Sequence, residues 1–192
     1  MNAPLAPVSV LLPTYPPYPF AIVRGSGDRL WDDQGLEYLD LYGGHCVCAT
    51  GHAHPRVLEA IARQAAALPF YSMAARVPVR DAAAAAIVRF SGMDSVFFCN
   101  SGAEANENAL KVAAQLTGRS RFVAFKGGFH GRTLLAASVT DDAKLHAGIE
   151  SLLAAVELLP FGEMAALARA SRPSPAATSA TSRSRTMAIS WW

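Results

Sequence analysis

Along residues 55–68, PRVLEAIARQAAAL, the apolar side chains Val57, Leu58, Ile61, Ala65 and Leu68 recur at steps of three and four. That rhythm sets them on one face of an α-helix, and Pro55 suits its first turn. A second helix is expected over 78–90, where Asp81 falls in the first turn and Ala82–Ala86 have high helix propensity. Residues 29–41 follow a period of two instead: Leu36 and Tyr38 alternate after Asp33-Gln34-Gly35, as in a β-hairpin whose turn is that triplet. Farther on come short, continuously apolar runs. Val96–Cys99 and Arg121–Phe125 are expected as strands buried on both faces, and AEANENALKVAAQL between them as a helix closed by Gly118. Strand, helix and strand in this order make a βαβ unit with a right-handed crossover. A further strand is expected at Val156–Leu159, after helical residues around 141–154. The predicted class is α/β with a mainly parallel sheet. The two ends lack such patterns. Prolines from Pro4 to Pro19 give an extended arm, and the segment from Ser171, with six Ser, three Thr, three Arg and no acidic residue, reads as an unstructured tail.

Composition narrows the function classes. Of 192 residues 52% are hydrophobic and 17% charged, which excludes wholesale disorder. A net charge of +2 supplies no clustered positive face for nucleic acid. No apolar stretch approaches the roughly 18 to 20 residues that cross a bilayer. The proline-broken N-terminus has no basic start, so it is not read as a signal peptide, and the expected location is cytoplasmic. Cys46, Cys48 and Cys99 are expected as small buried hydrophobes, the first two on one side of a strand. His45, His52 and His54 lie in a glycine-rich loop with no carboxylate cluster, and are expected to build the loop or line a pocket; no metal is expected. No Walker lysine follows a glycine-rich loop, so an ATP-cleaving P-loop is excluded.

Two loops carry candidate chemistry. In Asn100-Ser101-Gly102-Ala103-Glu104, Ser101 and Glu104 have capping-box spacing at a helix start, and Gly102 strips the side chain beside the free first-turn N–H groups. Such an end attracts an anion, and phosphate is the natural guest. In Gly127-Gly128-Phe129-His130-Gly131-Arg132-Thr133, glycines permit close backbone approach, Phe129 offers a face to a planar ring, and Arg132 can grip a carboxylate. A glycine-rich turn with a satisfied core histidine, His130, is the structural alternative. Both loops are expected at the carboxyl edge of one sheet, where ligands of parallel α/β proteins gather.

These motifs, with DQGLEYLDL at 33–41 and GHAHP at 51–55, resemble the class III aminotransferases over roughly residues 15 to 165. The arginine of FHGRT and Leu159-Pro160-Phe161-Gly162 are most similar to the acetylornithine and ornithine branch. The resemblance implies fold-type I architecture with pyridoxal 5′-phosphate as cofactor, an amino-acid substrate with 2-oxoglutarate as acceptor, and a homodimer, without nucleic acid or membrane. It implies that Ser101, Gly102 and Ala103 bind the cofactor phosphate, that Phe129 stacks on the ring with His130 beside it, and that Arg132 holds a substrate carboxylate. It also implies a domain plan. Residues 1–70 form the arm and a small-domain segment, 71–165 begin the large cofactor-binding domain, and 166–192 are a low-complexity tail, disordered or frameshifted.

Three elements of the resemblance are missing: the acidic partner of the pyridine nitrogen, an E-P-x-x-G-E segment and the Schiff-base lysine. The lysines present, Lys111, Lys126 and Lys144, do not follow the catalytic pattern. The expected function is therefore an acetylornithine-type aminotransferase truncated before its catalytic lysine. The alternatives are a non-catalytic fragment with weak phosphate binding, and an ω-amino-acid or diamine aminotransferase, against which Arg132 argues.

Overall fold

The computed structural model describes residues 11–12 and 14–171. The expected tail from 172 onward and the first ten residues of the arm lie outside the described residues. The chain divides into two compact units that meet in sequence at Ala83 and Ala84, inside a continuous helix, whereas the sequence reading puts the boundary at 70/71.

The first unit is a three-stranded antiparallel sheet, β1 (Ile22–Ser26), β2 (Arg29–Asp32) and β3 (Glu37–Leu39), in the order β1-β2-β3. The expected hairpin is β2–β3, with Leu30 opposite Tyr38. Its turn is built by Asp32, which is 2% exposed. Oδ1 accepts the N–H groups of Gln34 and Leu36 at 2.9 and 2.8 Å, and Oδ2 accepts the Tyr38 hydroxyl at 2.7 Å. Gly35, at φ +83, supplies the left-handed residue that closes the turn. β1, which no alternation signalled, pairs with β2, and the Arg24 guanidinium lies 3.5 Å over the Trp31 ring.

After β3 the chain makes a one-turn element, α1 (Gly43–Cys46), in which Gly43, Gly44, His45 and Cys46 all have positive φ. The turn is left-handed. Cys46 is exposed and Cys48 half-buried, so the expected strand with both thiols inside is replaced by this turn; two successive glycines make left-handed backbone accessible where a strand would need β-formers. Of the three histidines, His52 is a structural pair for Asp40, Nε2 to Oδ2 at 2.6 Å, while His54 precedes the first turn of the next helix. The Asp40 carboxyl is held below the usual carboxylate range by His52 and by the Gly43 and Tyr42 N–H groups. A carboxyl lowered on folding contributes stability above its unfolded pKa and loses it as pH falls through the folded value. Acid titration of the first unit should therefore show a loss of stability below about pH 4 that Asp40→Asn flattens; an identical acid slope in the variant would remove this pair as the cause.

The two helices of clearest pattern form as expected, α2 (Pro55–Ala67) and α3 (Pro78–Ser91). Neither contains a buried residue, and Val57, Leu58 and Ile61 of α2 are exposed.

The second unit holds α4 (Gly102–Thr117), β4 (Phe122–Phe125), α5 (Leu134–Ser138), α6 (Ala143–His146), a 3-10 turn (Glu150–Leu152), β5 (Val156–Leu159) and α7 (Met164–Ala170). β4 and β5 pair in parallel, Phe122 with Val156 through Phe125 with Leu159. This is the parallel sheet of an α/β fold, with α5 and α6 in the crossover. The expected strand at 96–99 is a correction. It pairs with no strand among the described residues, and Phe97 and Phe98 are exposed, because an apolar run becomes a strand only when a neighbour takes its backbone hydrogen bonds. The βαβ unit is accordingly β4–β5 rather than 96–125. The core is made mostly of small residues, Ala124, Ala136, Ala137 and Ala166, together with Val139 and Leu159. Ala166 belongs to α7, whose alanine-rich MAALARA extends helix to Ala170, five residues into the segment expected as tail.

Candidate functional site

The site begins with a helix cap. Ser101, extended at φ −150, accepts the Glu104 N–H on its Oγ at 3.1 Å, and the Glu104 carboxylate turns back to the Asn100 N–H at 2.5 Å. The reciprocal box expected from the sequence is present, shifted by one residue on its return arm. It consumes the N–H of residue 104, and that of Ala105 goes to the Ser101 carbonyl at 3.0 Å. Helix geometry leaves the Gly102 and Ala103 N–H groups without an intrahelical acceptor. A Cβ built on Gly102 would meet nothing within 4 Å, so the helix start is open on that side. The far end of α4 closes as expected on Gly118, left-handed at φ +66.

The second loop follows β4 directly, at its carboxyl end. Gly128 donates to the Phe125 carbonyl at 3.1 Å and accepts from the Asp141 N–H at 2.9 Å, and the Asp141 carboxylate takes the Gly127 N–H at 2.8 Å. These bonds turn the chain back toward α4. Gly131, fully enclosed at φ +128, then meets the first turn of that helix: a Cβ on it would lie 2.5 Å from the Ala103 Cβ and 3.2 Å from the Ala136 Cβ. The two loops singled out in the sequence are thus one structure. Only the second follows a strand, so the convergence comes from this glycine contact rather than from a shared sheet edge.

Around the contact the loop is pinned from both sides. On the α4 side Asn106 Nδ2 donates to the His130 carbonyl at 2.8 Å. On the other, the Thr140 hydroxyl, in a side chain 1% exposed, accepts the His130 N–H at 2.9 Å and donates to the Ala136 carbonyl at 2.8 Å. Thr140→Val keeps the shape and deletes the acceptor, leaving the part-buried His130 N–H unpaired. The expected cost is about 2 kcal/mol, read as a lower denaturation midpoint; an unchanged midpoint would mean that the N–H has another partner.

Of the expected site residues, Ser101, Gly102 and Ala103 form the open helix end, and His130 is half-buried, its imidazole pushed below its ordinary range by that burial and so neutral at pH 7. Phe129 is 56% exposed and Arg132 is exposed, both on the loop that Gly131 anchors. Asn106, Glu107, Thr133 and Thr140, which hold the loop, were not anticipated. The signal for the first two was available: Ala103, Asn106 and Glu107 stand at i, i+3 and i+4 and so share a helix face. Thr140 carried none. Lys111, four residues beyond Glu107, is 3.3 Å from its carboxylate. The open hollow of about 400 Å³ in this unit, lined by Lys111, Gln115, Phe122 and Leu135 among others, lies along the later turns of α4, away from the helix start.

Against known proteins, the Aminotransferase class-III family model matches residues 12–185, beyond residue 165, where the sequence reading ends the family pattern. The acetylornithine aminotransferase of Halalkalibacterium halodurans is 43% identical over 160 residues, 83% of this chain and 42% of that protein. That of Streptomyces coelicolor is 47% identical over 152 residues, 78% of this chain and 37% of its own. Among solved structures, the ornithine aminotransferase of Toxoplasma gondii superposes with a TM-score of 0.78 at 30% identity, covering 84% of this chain and 40% of that one. An ω-transaminase of Pseudomonas jessenii gives 0.64 at 28% identity, over 73% of this chain and 34% of its own. The chain thus spans about two fifths of the length of the curated relatives it matches, and over that span, with the capped helix, the anchored FHGRT loop and the parallel pair in place, it belongs to the class III aminotransferase family.

Proposed function

We propose that this chain is the front portion of an acetylornithine- or ornithine-type aminotransferase, which moves an amino group from an amino acid to 2-oxoglutarate with pyridoxal 5′-phosphate. One observation carries the reading. The open amides of Gly102 and Ala103 are locked, through Ala103 and Gly131, to the loop that bears Phe129 and Arg132. The donor set fits the cofactor: two unclaimed N–H groups at a helix start, the Ser101 cap beside them, and no Cβ on Gly102 to fill the space an anion needs. When bound, the cofactor supplies an electron sink for the substrate carbon.

The residues of this chain bind and orient. Ser101, Gly102 and Ala103 receive the phosphate, Phe129 offers its face to the ring, His130 stands beside it as a neutral group, and Arg132 takes the substrate carboxylate as a bidentate partner. The greater likeness to the ornithine enzyme than to the ω-transaminase supports the α-carboxylate-bearing substrate. The lysine that would handle the proton is not among Lys111, Lys126 and Lys144, so the chain by itself is read as catalytically incomplete. We read the working protein as a cytoplasmic homodimer.

Gly102→Asp tests the phosphate role cleanly. Its Cβ meets nothing, and an acidic side chain suits a first helical turn, so fold stability should hold or rise by about 0.5 kcal/mol. The carboxylate occupies the anion's place, and phosphate affinity should fall at least roughly tenfold, since like charges are opposed at close range. Titration of the purified chain with inorganic phosphate, followed by phosphorus NMR, reads it; equal affinity in parent and variant would move the phosphate elsewhere.

A further inference from the structure

Glu107 is the one buried carboxylate of the second unit among the described residues, and its carboxylate bonds to none of the residues proposed to bind phosphate, ring or substrate carboxylate. Three donors from the far side of the FHGRT loop converge on its Oε2: the Thr133 hydroxyl at 2.8 Å, the Leu135 N–H at 2.8 Å and the Ala136 N–H at 3.2 Å. The two amides belong to the first turn of α5, so the carboxylate caps that helix from another helix. Oε1 faces Lys111 Nζ at 3.3 Å. On the same face of α4, Asn106 holds the His130 carbonyl and Ala103 abuts Gly131. The loop segment 130–136 is therefore attached to α4 at three successive places, and Glu107 makes the attachment on the exit side of Arg132. The partners of Glu107 are thus Thr133, Leu135, Ala136 and Lys111, whereas the start of α4 is capped by Ser101 and Glu104.

We infer that Glu107 is a positioning residue that fixes the distance between the phosphate-binding helix start and the Phe129–Arg132 loop, so that a ligand spanning both depends on it while a ligand held by the helix start alone does not. The inference rests on the reading of the site proposed above. Its chemical content is a difference between two ligands. Inorganic phosphate needs only the amides of Gly102 and Ala103; a phosphorylated pyridine needs those amides and the Phe129 face at a set separation. Releasing three donors from Oε2 frees the α5 start and the loop leading to it, and binding must then restore their order.

The test uses the full 192-residue chain and two probes, inorganic phosphate and pyridoxine 5′-phosphate, which has no aldehyde to react with surface lysines. Glu107→Ala should weaken pyridoxine phosphate roughly tenfold or more while inorganic phosphate changes by less than about twofold. Glu107→Gln should recover part of the loss, because its amide oxygen can still accept from the donors that meet on Oε2, although without the charge. Thr133→Val removes one donor, leaves the carboxylate in place and should show the same selectivity in smaller degree, which decides the matter if the alanine variant does not fold. Unchanged pyridoxine phosphate affinity in these variants, or an equal loss for both probes in a folded chain, would overturn the inference and leave the site standing. A parent chain that binds neither probe would overturn the reading of the site and the inference with it.

Discussion

Gly131→Ala should cost the second unit about 3 kcal/mol or more, a large share of the 5–15 kcal/mol that holds an ordinary domain together. Two effects add. The backbone there sits at φ +128, a conformation that L side chains rarely adopt. The new methyl would also arrive 2.5 Å from the Ala103 Cβ, 2.9 Å from the Ala103 Cα and 3.2 Å from the Ala136 Cβ. Two of these neighbours are methyl groups on separate helices and the third is backbone, so no flexible side chain can swing aside. Relief requires α4 and α5 to move apart, which breaks the close-packed alanine core as well as the contact between the two loops. Chemical denaturation of parent and variant, monitored by far-ultraviolet circular dichroism, measures the cost. A loss below about 1 kcal/mol would mean that the loop adjusts without moving the helices, and would weaken the claim that this glycine unites the site.

Glu107→Ala should cost about 3 kcal/mol at neutral pH, because three donors that now meet on one oxygen lose it together and two of them are backbone amides in a poorly solvated place. The loss has a pH signature that distinguishes it from a packing defect. Burial alone would raise the Glu107 carboxyl, but the Thr133 hydroxyl, the Ala136 and Leu135 amides and Lys111 together outweigh it and hold the group below its ordinary range. A lowered folded pKa means that the ionised form carries the stabilisation. It is fully present above the unfolded value near 4.3 and is lost as pH falls through the folded one. Parent and variant stability should therefore differ most above about pH 5 and converge in acid. A constant difference across that range would assign the cost to the cavity left by the side chain.

These features differ from residue to residue in how far they are local to the sequence. The Ser101–Glu104 box is local: the two partners lie within one helical turn, so residue type and spacing suffice to place it, and Gly118 marks the other end by the same kind of argument. The β2–β3 hairpin is likewise a matter of a few consecutive residues, with Gly35 and alternation around it. Val96–Cys99 forms no strand for the opposite reason. Its apolarity is a property of the run, but strand formation is a property of a pair, and the partner is not among the described strands. The left-handed turn at Gly43–Cys46 displaced an expected strand through two glycines whose freedom, unlike a β-branched preference, has no single outcome in sequence.

The amino-acid sequence by itself determined the class, the helices α2, α3 and α4, the capped helix start, the glycine-rich loop and the family, because each depends on neighbours within one turn or on a motif several residues long. Only the tertiary structure decided that the two loops pack against each other. Gly131 touches Ala103 across 28 positions, and Glu107 collects donors from Thr133, Leu135 and Ala136, 26 to 29 positions away. Such contacts exist only once the helix and the strand-loop have been packed, and what selects them is steric: a place with no room for a methyl group, and a buried oxygen that must be satisfied.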